Sequence, residues 1–110
     1  MPSFVRPGLA RLLLAALVVL ACPVSAADAR VSIAAFAFGP QAINIKVGDS
    51  VTWSNNDGSP HTVNFKDGSV GAKSLSPADT FTRVFDQPGT YEYFCAFHPY
   101  MTGRVIVSAK

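Results

Sequence analysis

A cysteine, a histidine and a methionine lie close together near the end of the chain, in Cys95-Ala96-Phe97-His98-Pro99-Tyr100-Met101. The other histidine of the sequence, His61, lies upstream. Two imidazoles, one thiolate and one weakly held thioether suit both Cu(I) and Cu(II), because they combine soft sulfur with borderline nitrogen. These residue types therefore predict a site for one copper ion, with His61, Cys95, His98 and Met101 as candidate ligands.

Each of these side chains also has an ordinary explanation. A free cysteine is often a small buried hydrophobic residue, a methionine often fills a core, and a histidine at a strand end is often only hydrogen-bonded. Zinc is the main rival metal, since one cysteine and two histidines also suit a tetrahedral zinc site. The methionine favours copper, because a soft thioether is a poor ligand for zinc.

The first 26 residues have the pattern of a secretory signal peptide. Arg6 and Arg11 precede the apolar run Leu12 to Ala21, and the small-residue cleavage site Val24-Ser25-Ala26 follows it. A second cleavage site of this kind ends at Ala29. We therefore expect residues 1–26 to be removed on export to the periplasm and residues 27–110 to form one soluble domain.

Charge and cysteine usage limit the possible partners. Residues 27–110 carry seven basic and seven acidic side chains, so the formal charge of +2 of the whole chain comes from the two leader arginines. A neutral domain without a basic cluster gives no electrostatic reason to expect nucleic acid as a partner. Cys22 leaves with the leader, and only its lipidation would tether the chain to a membrane. We expect a monomer with one unpaired thiol, Cys95.

Segments with a period of two, separated by turn residues, indicate an all-β sandwich of seven to eight strands. The predicted strands are Val31 to Phe38, Ile43 to Val47, Val51 to Ser54, Thr62 to Phe65, Thr80 to Phe85, Thr90 to Cys95 and Arg104 to Val107. Residues 67–80 lack this periodicity, and we expect an irregular crossing there with room for one short helical turn.

The predicted strands bring three candidate ligands together. Cys95 ends one strand, His98 and Met101 lie in the following loop, and Gly103 opens the next strand. One short hairpin connection therefore presents three donor atoms to a single point. His61 must come from a separate loop at the same end of the sandwich, which an antiparallel arrangement of the strands allows.

Four segments share a pattern with one known family: Val47-Gly48-Asp49-Ser50-Val51-Thr52-Trp53, Pro60-His61-Thr62-Val63, Pro88-Gly89-Thr90-Tyr91-Glu92-Tyr93-Phe94-Cys95, and the loop that ends at Met101. They resemble the type 1 blue-copper proteins, or cupredoxins, and among them the amicyanins. The spacing Cys-x-x-His-x-x-Met is the short amicyanin-like form, whereas plastocyanin-like and pseudoazurin-like proteins have more residues between His and Met. The resemblance covers nearly all of residues 27–110 and implies a Greek-key β-sandwich.

The resemblance implies a role for each candidate ligand. His61, Cys95 and His98 would be the strong equatorial ligands of one type 1 copper ion, and Met101 the long axial ligand. Thr62 stands where the family usually has Asn. In the family, this residue ties the two ligand loops together and its backbone N–H points at the cysteine sulfur. The threonine hydroxyl would supply part of this connection.

The function implied by the resemblance is outer-sphere electron transfer by a small periplasmic carrier that is not an enzyme. The outer edge of His98 would be the exit point for electrons, and the neighbouring Phe97, Pro99 and Tyr100 would exclude water and form a docking surface. The expected partners are a c-type cytochrome and an amine dehydrogenase. The alternative is a periplasmic copper-binding or copper-delivery protein that uses the same ligands without passing electrons.

Overall fold

Two β-sheets face each other across a hydrophobic core in the computed structural model, which describes residues 26–110. Nine strands in this part of the chain form the sheets: β1 (Asp28–Ala34), β2 (Ala37–Gly39), β3 (Ala42–Lys46), β4 (Ser50–Asn55), β5 (His61–Phe65), β6 (Ala72–Leu75), β7 (Thr80–Val84), β8 (Gly89–Phe94) and β9 (Thr102–Ser108). One sheet has the order β2-β1-β4-β7, and the other has the order β3-β9-β8-β5-β6. The predicted all-β sandwich is confirmed.

Alternating side chains explain how the strands enclose the core. In β9, Val105 and Val107 are buried while Arg104 between Gly103 and Val105 is exposed, as the period of two requires. Trp53 of β4 lies at the centre, completely buried. The rings of Phe65, Phe81 and Tyr93 lie 5.9, 5.5 and 5.4 Å from it, centroid to centroid. Side chains from both sheets therefore form one aromatic core.

The prediction of a single first strand from Val31 to Phe38 is wrong. The chain reverses at Ala35 and Phe36, and β1 pairs with β2 in an antiparallel hairpin in which Ala34 lies opposite Ala37. Both turn residues have positive φ angles, 52° and 58°. This is the backbone of a two-residue hairpin turn that glycine or asparagine usually occupies. Neither glycine nor asparagine occurs at this turn, and the apolar residues around it therefore predicted one continuous strand.

The segment between β5 and β7 also differs from its prediction. It contains the strand β6, which pairs with β5, instead of a helical turn. The pairing is irregular between His61 and Val63. Gly71, just before β6, lies close to the backbone carbonyl of Val63. A Cβ atom at Gly71 would lie 1.9 Å from the carbonyl oxygen of Val63. Only glycine permits this close approach, so the segment is a strand despite its glycine-rich composition.

Strand pairing brings the ends of three strands to one edge of the second sheet. Phe94 at the end of β8 lies opposite Thr102 at the start of β9. Phe94 also lies opposite Asn64 in β5, the strand that begins with His61. The predicted signal peptide, residues 1–26, lies outside the described residues except for Ala26. In the part of the chain that the structure describes, no helix is long and apolar enough to cross a membrane.

Candidate metal centre

Three of the predicted ligands converge at this edge of the sandwich. The sulfur of Cys95 lies 3.7 Å from Nδ1 of His61 and 3.8 Å from Nδ1 of His98. All three donor atoms lie within 4.8 Å of one another. Cys95 and His61 are completely buried, and His98 is half-buried. The structure therefore brings a thiol and two imidazoles, from two separate loops, to a single point.

The distances from the sulfur to the two imidazole nitrogens fit one metal ion. Metal bonds to imidazole nitrogen and to thiolate sulfur are about 2.0 to 2.3 Å long. Two such bonds that meet at about 120° separate their donor atoms by a little less than about 4 Å, which agrees with both sulfur-to-nitrogen distances. A trigonal set of two histidines and one cysteine is the ligand arrangement that suits copper.

The loop between β8 and β9 holds its own shape through backbone hydrogen bonds. His98 donates its backbone N–H to the carbonyl of Cys95 over 3.2 Å, and Met101 donates to the carbonyl of His98 over 2.8 Å. Cys95 donates in turn to the carbonyl of Met101 over 3.1 Å. These bonds close the loop, and the Met101 side chain is 2% exposed. The thioether is therefore inside the protein, at the end of the loop that carries Cys95 and His98.

The surroundings of Cys95 favour its thiolate form. Burial raises the pKa of the thiol, but a hydrogen bond from the Thr62 backbone N–H and further hydrogen bonds within the site outweigh burial and lower the pKa to about 6. The Thr62 bond to sulfur is 3.3 Å long. A thiolate is the form of cysteine that binds metals. The sulfur is therefore ready for a metal at neutral pH.

Thr62 connects the two ligand loops, as the family resemblance implied. Its backbone N–H donates to the sulfur of Cys95, and its hydroxyl oxygen accepts the backbone N–H of Ala96 over 2.7 Å. The same hydroxyl donates to the side-chain oxygen of Asn64. Threonine thus makes the connection for which the family usually has asparagine.

Asp57, which was not among the predicted site residues, holds His61. The Asp57 carboxylate lies 2.8 Å from Nε2 of His61. This contact leaves Nδ1 of the same imidazole directed at the sulfur of Cys95. Hydrogen bonds from the backbone N–H groups of Phe36 and Ala35, together with the contact to His61, keep the pKa of Asp57 below its usual value despite the opposing effect of burial. An acidic residue four positions before a candidate ligand was the available signal.

Asn55 is a second residue of the site that its sequence pattern did not predict. Its completely buried side chain donates to the carbonyl of Ser59 over 2.9 Å and to that of Leu75 over 2.8 Å. Its side-chain oxygen accepts the backbone N–H of Asp57 over 2.9 Å. Asn55 therefore fixes the loop between Asp57 and His61 from the inside.

The aromatic surroundings of the site differ in part from the prediction. Phe97 and Tyr100 are 51% and 71% exposed, and Pro99 is also exposed, so these residues form an outer surface. The ring that packs on both imidazoles belongs to Phe36. Its centroid lies 5.4 Å from that of His61 and 4.9 Å from that of His98, in both cases edge to face.

Comparisons with known proteins agree with this fold. A model of the cupredoxin-like domain matches residues 9–107 of the chain. Amicyanin-alpha of Methylorubrum extorquens is 39% identical over an alignment of 87 residues, and the match covers 74% of this chain and 73% of that protein. Amicyanin of Paracoccus denitrificans is 37% identical over an alignment of 82 residues, and the match covers 70% of this chain and 63% of that protein. The chain thus spans between about three fifths and three quarters of these curated relatives.

Solved structures with the same fold include a purple cupredoxin and an amicyanin. A purple cupredoxin from Nitrosopumilus maritimus is 34% identical, with a TM-score of 0.68, and the match covers 74% of this chain and all of that one. A Cu(I) form of an amicyanin variant is 31% identical, with a TM-score of 0.70, and the match covers 77% of this chain and 86% of that one.

Proposed function

Because the chain belongs to the cupredoxin family, whose members bind one type 1 copper ion, we propose that it is a small periplasmic electron carrier. In this proposal His61, Cys95 and His98 are the equatorial ligands and Met101 is the axial ligand. The observation that carries the proposal is the convergence of one low-pKa thiol and two imidazole nitrogens within 4.8 Å. The copper ion supplies a one-electron Cu(II)/Cu(I) couple.

The residues around the site limit how far the ligands move. Asp57 and Thr62 hold His61 and Cys95 through short polar contacts, and three backbone bonds close the loop from Cys95 to Met101. A ligand set that keeps its positions in both redox states lowers the reorganisation cost of electron transfer. The protein therefore contributes rigidity and the exclusion of water, rather than a reacting side chain, and we propose that it is not an enzyme.

The half-buried His98 is the proposed exit point for electrons. It is the more exposed of the two imidazoles, and the exposed rings of Phe97 and Tyr100 lie in the same loop. Such a surface suits brief contact with a redox protein, since weak electron-transfer complexes use small interfaces. From the resemblance, we expect a c-type cytochrome as one partner and an amine dehydrogenase as a donor.

The periplasmic location and the domain boundary belong to the same proposal. They are supported by the basic residues, apolar run and cleavage site of residues 1–26. The family match begins at residue 9 and so overlaps this segment. We expect the intact mass of the exported protein to correspond to a chain that begins at Ala27. A mass that retains the leader would contradict this boundary.

The visible absorption spectrum with added Cu(II) tests the copper site. We expect an intense blue thiolate-to-copper charge-transfer band that a reductant bleaches reversibly. The band should be absent from Cys95→Ala and from Cys95→Ser, and the serine variant controls for side-chain volume. If the native protein binds copper without this band, the thiolate is not a ligand and the proposal fails.

A second measurement separates an electron carrier from a copper-delivery protein. An electron carrier should exchange electrons rapidly between its oxidised and reduced forms and should retain copper against a chelator. Slow electron exchange together with ready release of copper would instead support delivery through the same four residues.

A further inference from the structure

One carboxylate group contacts two structures that are far apart in the sequence. Asp57 Oδ1 accepts the backbone N–H of Ala35 over 2.7 Å, and Oδ2 accepts that of Phe36 over 2.9 Å. Oδ2 also lies 2.8 Å from Nε2 of His61. We call Asp57, the Ala35–Phe36 turn and His61 the Asp57 cluster. The side chain of Asp57 is 13% exposed, and the imidazole of His61 is fully buried. The contact between Asp57 and His61 is therefore shielded from most competition by water, whereas the two bonds to the turn lie at the surface.

The turn in this cluster needs support from outside itself. Ala35 and Phe36 both have positive φ angles, which residues other than glycine, asparagine and aspartate rarely adopt. The turn also directs two backbone N–H groups to the same side, and both need an acceptor. Asp57 supplies one oxygen to each group. The carboxylate thereby compensates for the unfavourable backbone of a turn that contains no glycine.

The supported turn positions an aromatic ring against both imidazoles. The Phe36 ring lies edge to face on His61 and on His98, and its side chain is 40% exposed. The ring therefore contacts the buried His61 and the half-buried His98 at once. The location of the ring depends on the turn, because Phe36 is one of the two turn residues that connect β1 to β2.

We propose that Asp57 is a positioning residue that couples the orientation of His61 to the location of Phe36. The carboxylate accepts the Nε2 proton of His61 and so leaves Nδ1 unprotonated toward Cys95. By holding the Ala35–Phe36 turn, it also keeps the aromatic ring over the two imidazoles. The proposal rests on the proposed copper function for its consequence, but its structural part applies equally to the protein without metal.

The metal-free protein provides the first test. In Asp57→Ala, we expect the amide protons of Ala35 and Phe36 to exchange with solvent about tenfold faster or more, which is the effect of losing a charge-assisted hydrogen bond. We also expect nitrogen NMR to show that His61, protonated at Nε2 in the native protein, becomes a mixture of tautomers. Asp57→Asn retains one carbonyl acceptor and should give a smaller change of the same kind. This variant replaces Asp57→Ala in the experiment if the alanine variant does not fold.

Asp49 offers a matched control in the same chain. Its carboxylate also accepts two backbone N–H groups, those of Ala27 and Lys46, over 2.9 and 3.0 Å. It belongs to the turn between β3 and β4 and has no contact with a proposed ligand. Asp49→Ala should therefore leave both the His61 tautomer and the exchange rates of Ala35 and Phe36 unchanged.

A double variant separates the two parts of the proposal. Adding Ala35→Gly to Asp57→Ala removes the strain at one turn residue, because glycine adopts positive φ without cost. We expect this change to restore part of the exchange protection at the turn but not the single tautomer of His61. Recovery of the tautomer as well would overturn a direct role for the carboxylate at His61.

Copper affinity then tests the functional consequence. Loss of an outer bond to a metal-bound histidine typically weakens metal binding about 10- to 100-fold, and we expect this for Asp57→Ala with the blue band still present. Unchanged affinity, exchange rates and tautomer would overturn the proposal while the blue band of the native protein still supported the copper function. If the native protein lacks that band, the copper function fails, and the metal-free measurements still decide whether Asp57 positions His61.

Discussion

At the scale of single residues, the hydroxyl of Thr62 is one small group on which the arrangement of the candidate metal site depends. It connects the loop of His61 to the loop of Cys95 through one bond to the backbone of Ala96. The side chain is 2% exposed, so this bond does not exchange easily with water. Because the backbone N–H to the sulfur is independent of the side chain, hydroxyl and amide have separable effects.

Replacement of Thr62 by valine removes the hydroxyl and keeps the side-chain shape. We expect the free energy of unfolding of the metal-free protein to fall by about 1 kcal/mol, because the partly buried hydrogen bond from the N–H of Ala96 loses its acceptor. The blue band should remain, since the amide bond to Cys95 is unchanged. Denaturant unfolding measures the first effect and visible absorption the second.

Thr90→Val is the matched control, because Thr90 is exposed in β8. Its free energy of unfolding should change by less than about 0.5 kcal/mol. Equal stability losses in the two variants would mean that the hydroxyl of Thr62 contributes nothing specific to the connection between the loops.

Residue types and spacing predicted the candidate ligands but not the residues that hold them. Cys95, His98 and Met101 share one loop, so their proximity is a local property of the sequence. The contact of Asp57 with the Ala35–Phe36 turn joins residues 21 and 22 positions apart. It exists only because β1 and β4 are neighbours in the folded sheet, which no local pattern specifies.

At the scale of secondary-structure elements, the pairing of β8 with β9 sets the direction of the ligand loop. Tyr93 of β8 lies opposite Gly103 of β9, and its ring is completely buried beside Trp53. Burial raises the pKa of Tyr93 to about 12, so the phenol stays protonated at all ordinary pH values. The ring lies over Gly103, where a larger residue would collide with it.

Replacement of Gly103 by alanine should therefore destabilise the protein. A Cβ atom at this position would lie 2.5 Å from both Cζ and the hydroxyl oxygen of Tyr93. Because the ring is packed in the core, we expect a loss of about 1 to 3 kcal/mol in the free energy of unfolding. The strand pair would shift as well, and the blue band should weaken or move as the adjacent ligand loop adjusts.

Gly58→Ala is the control for adding a methyl group near the site. No atom lies within 4 Å of a Cβ at Gly58, and we expect its stability to stay close to that of the native protein. Thermal unfolding of both variants distinguishes the two cases. A Gly103→Ala protein as stable as the native one would show that the Tyr93 ring moves without cost.

The accuracy of the element predictions follows from how each element is encoded. The strands β8 and β9 alternate buried and exposed side chains, and this alternation is visible in the sequence. The turn between β1 and β2 uses Ala35 and Phe36 in a conformation that their own preferences oppose. Support from Asp57 overrides local preference there, which explains why the hairpin could not be predicted from its own residues.

At the scale of the whole molecule, residues 27–110 have no net formal charge, so long-range steering of a charged partner is weak. In the proposed function, recognition of a partner then depends on the surface close to His98. We define the exit surface as Phe36, Phe97 and Tyr100, which are 40%, 51% and 71% exposed around the half-buried His98. Apolar contact of this kind allows fast separation after electron transfer, because a small interface binds weakly.

Replacement of Tyr100 by lysine tests whether molecules meet through the exit surface. In electron self-exchange, two copies approach through the same face, so the two introduced charges repel each other. We expect the rate constant to fall about tenfold at low ionic strength. The loss should shrink as salt shortens the screening length from about 30 Å at 0.01 M to about 10 Å at 0.1 M.

Tyr100→Gln removes the ring without adding charge and should show little salt dependence. Val70→Lys adds the same charge at a side chain 76% exposed in the loop after β5, at the far end of that strand from His61. Line broadening in mixtures of oxidised and reduced protein measures each rate. If Tyr100→Lys and Val70→Lys slow the exchange equally, net charge alone is responsible, and electrons do not leave through the surface around His98.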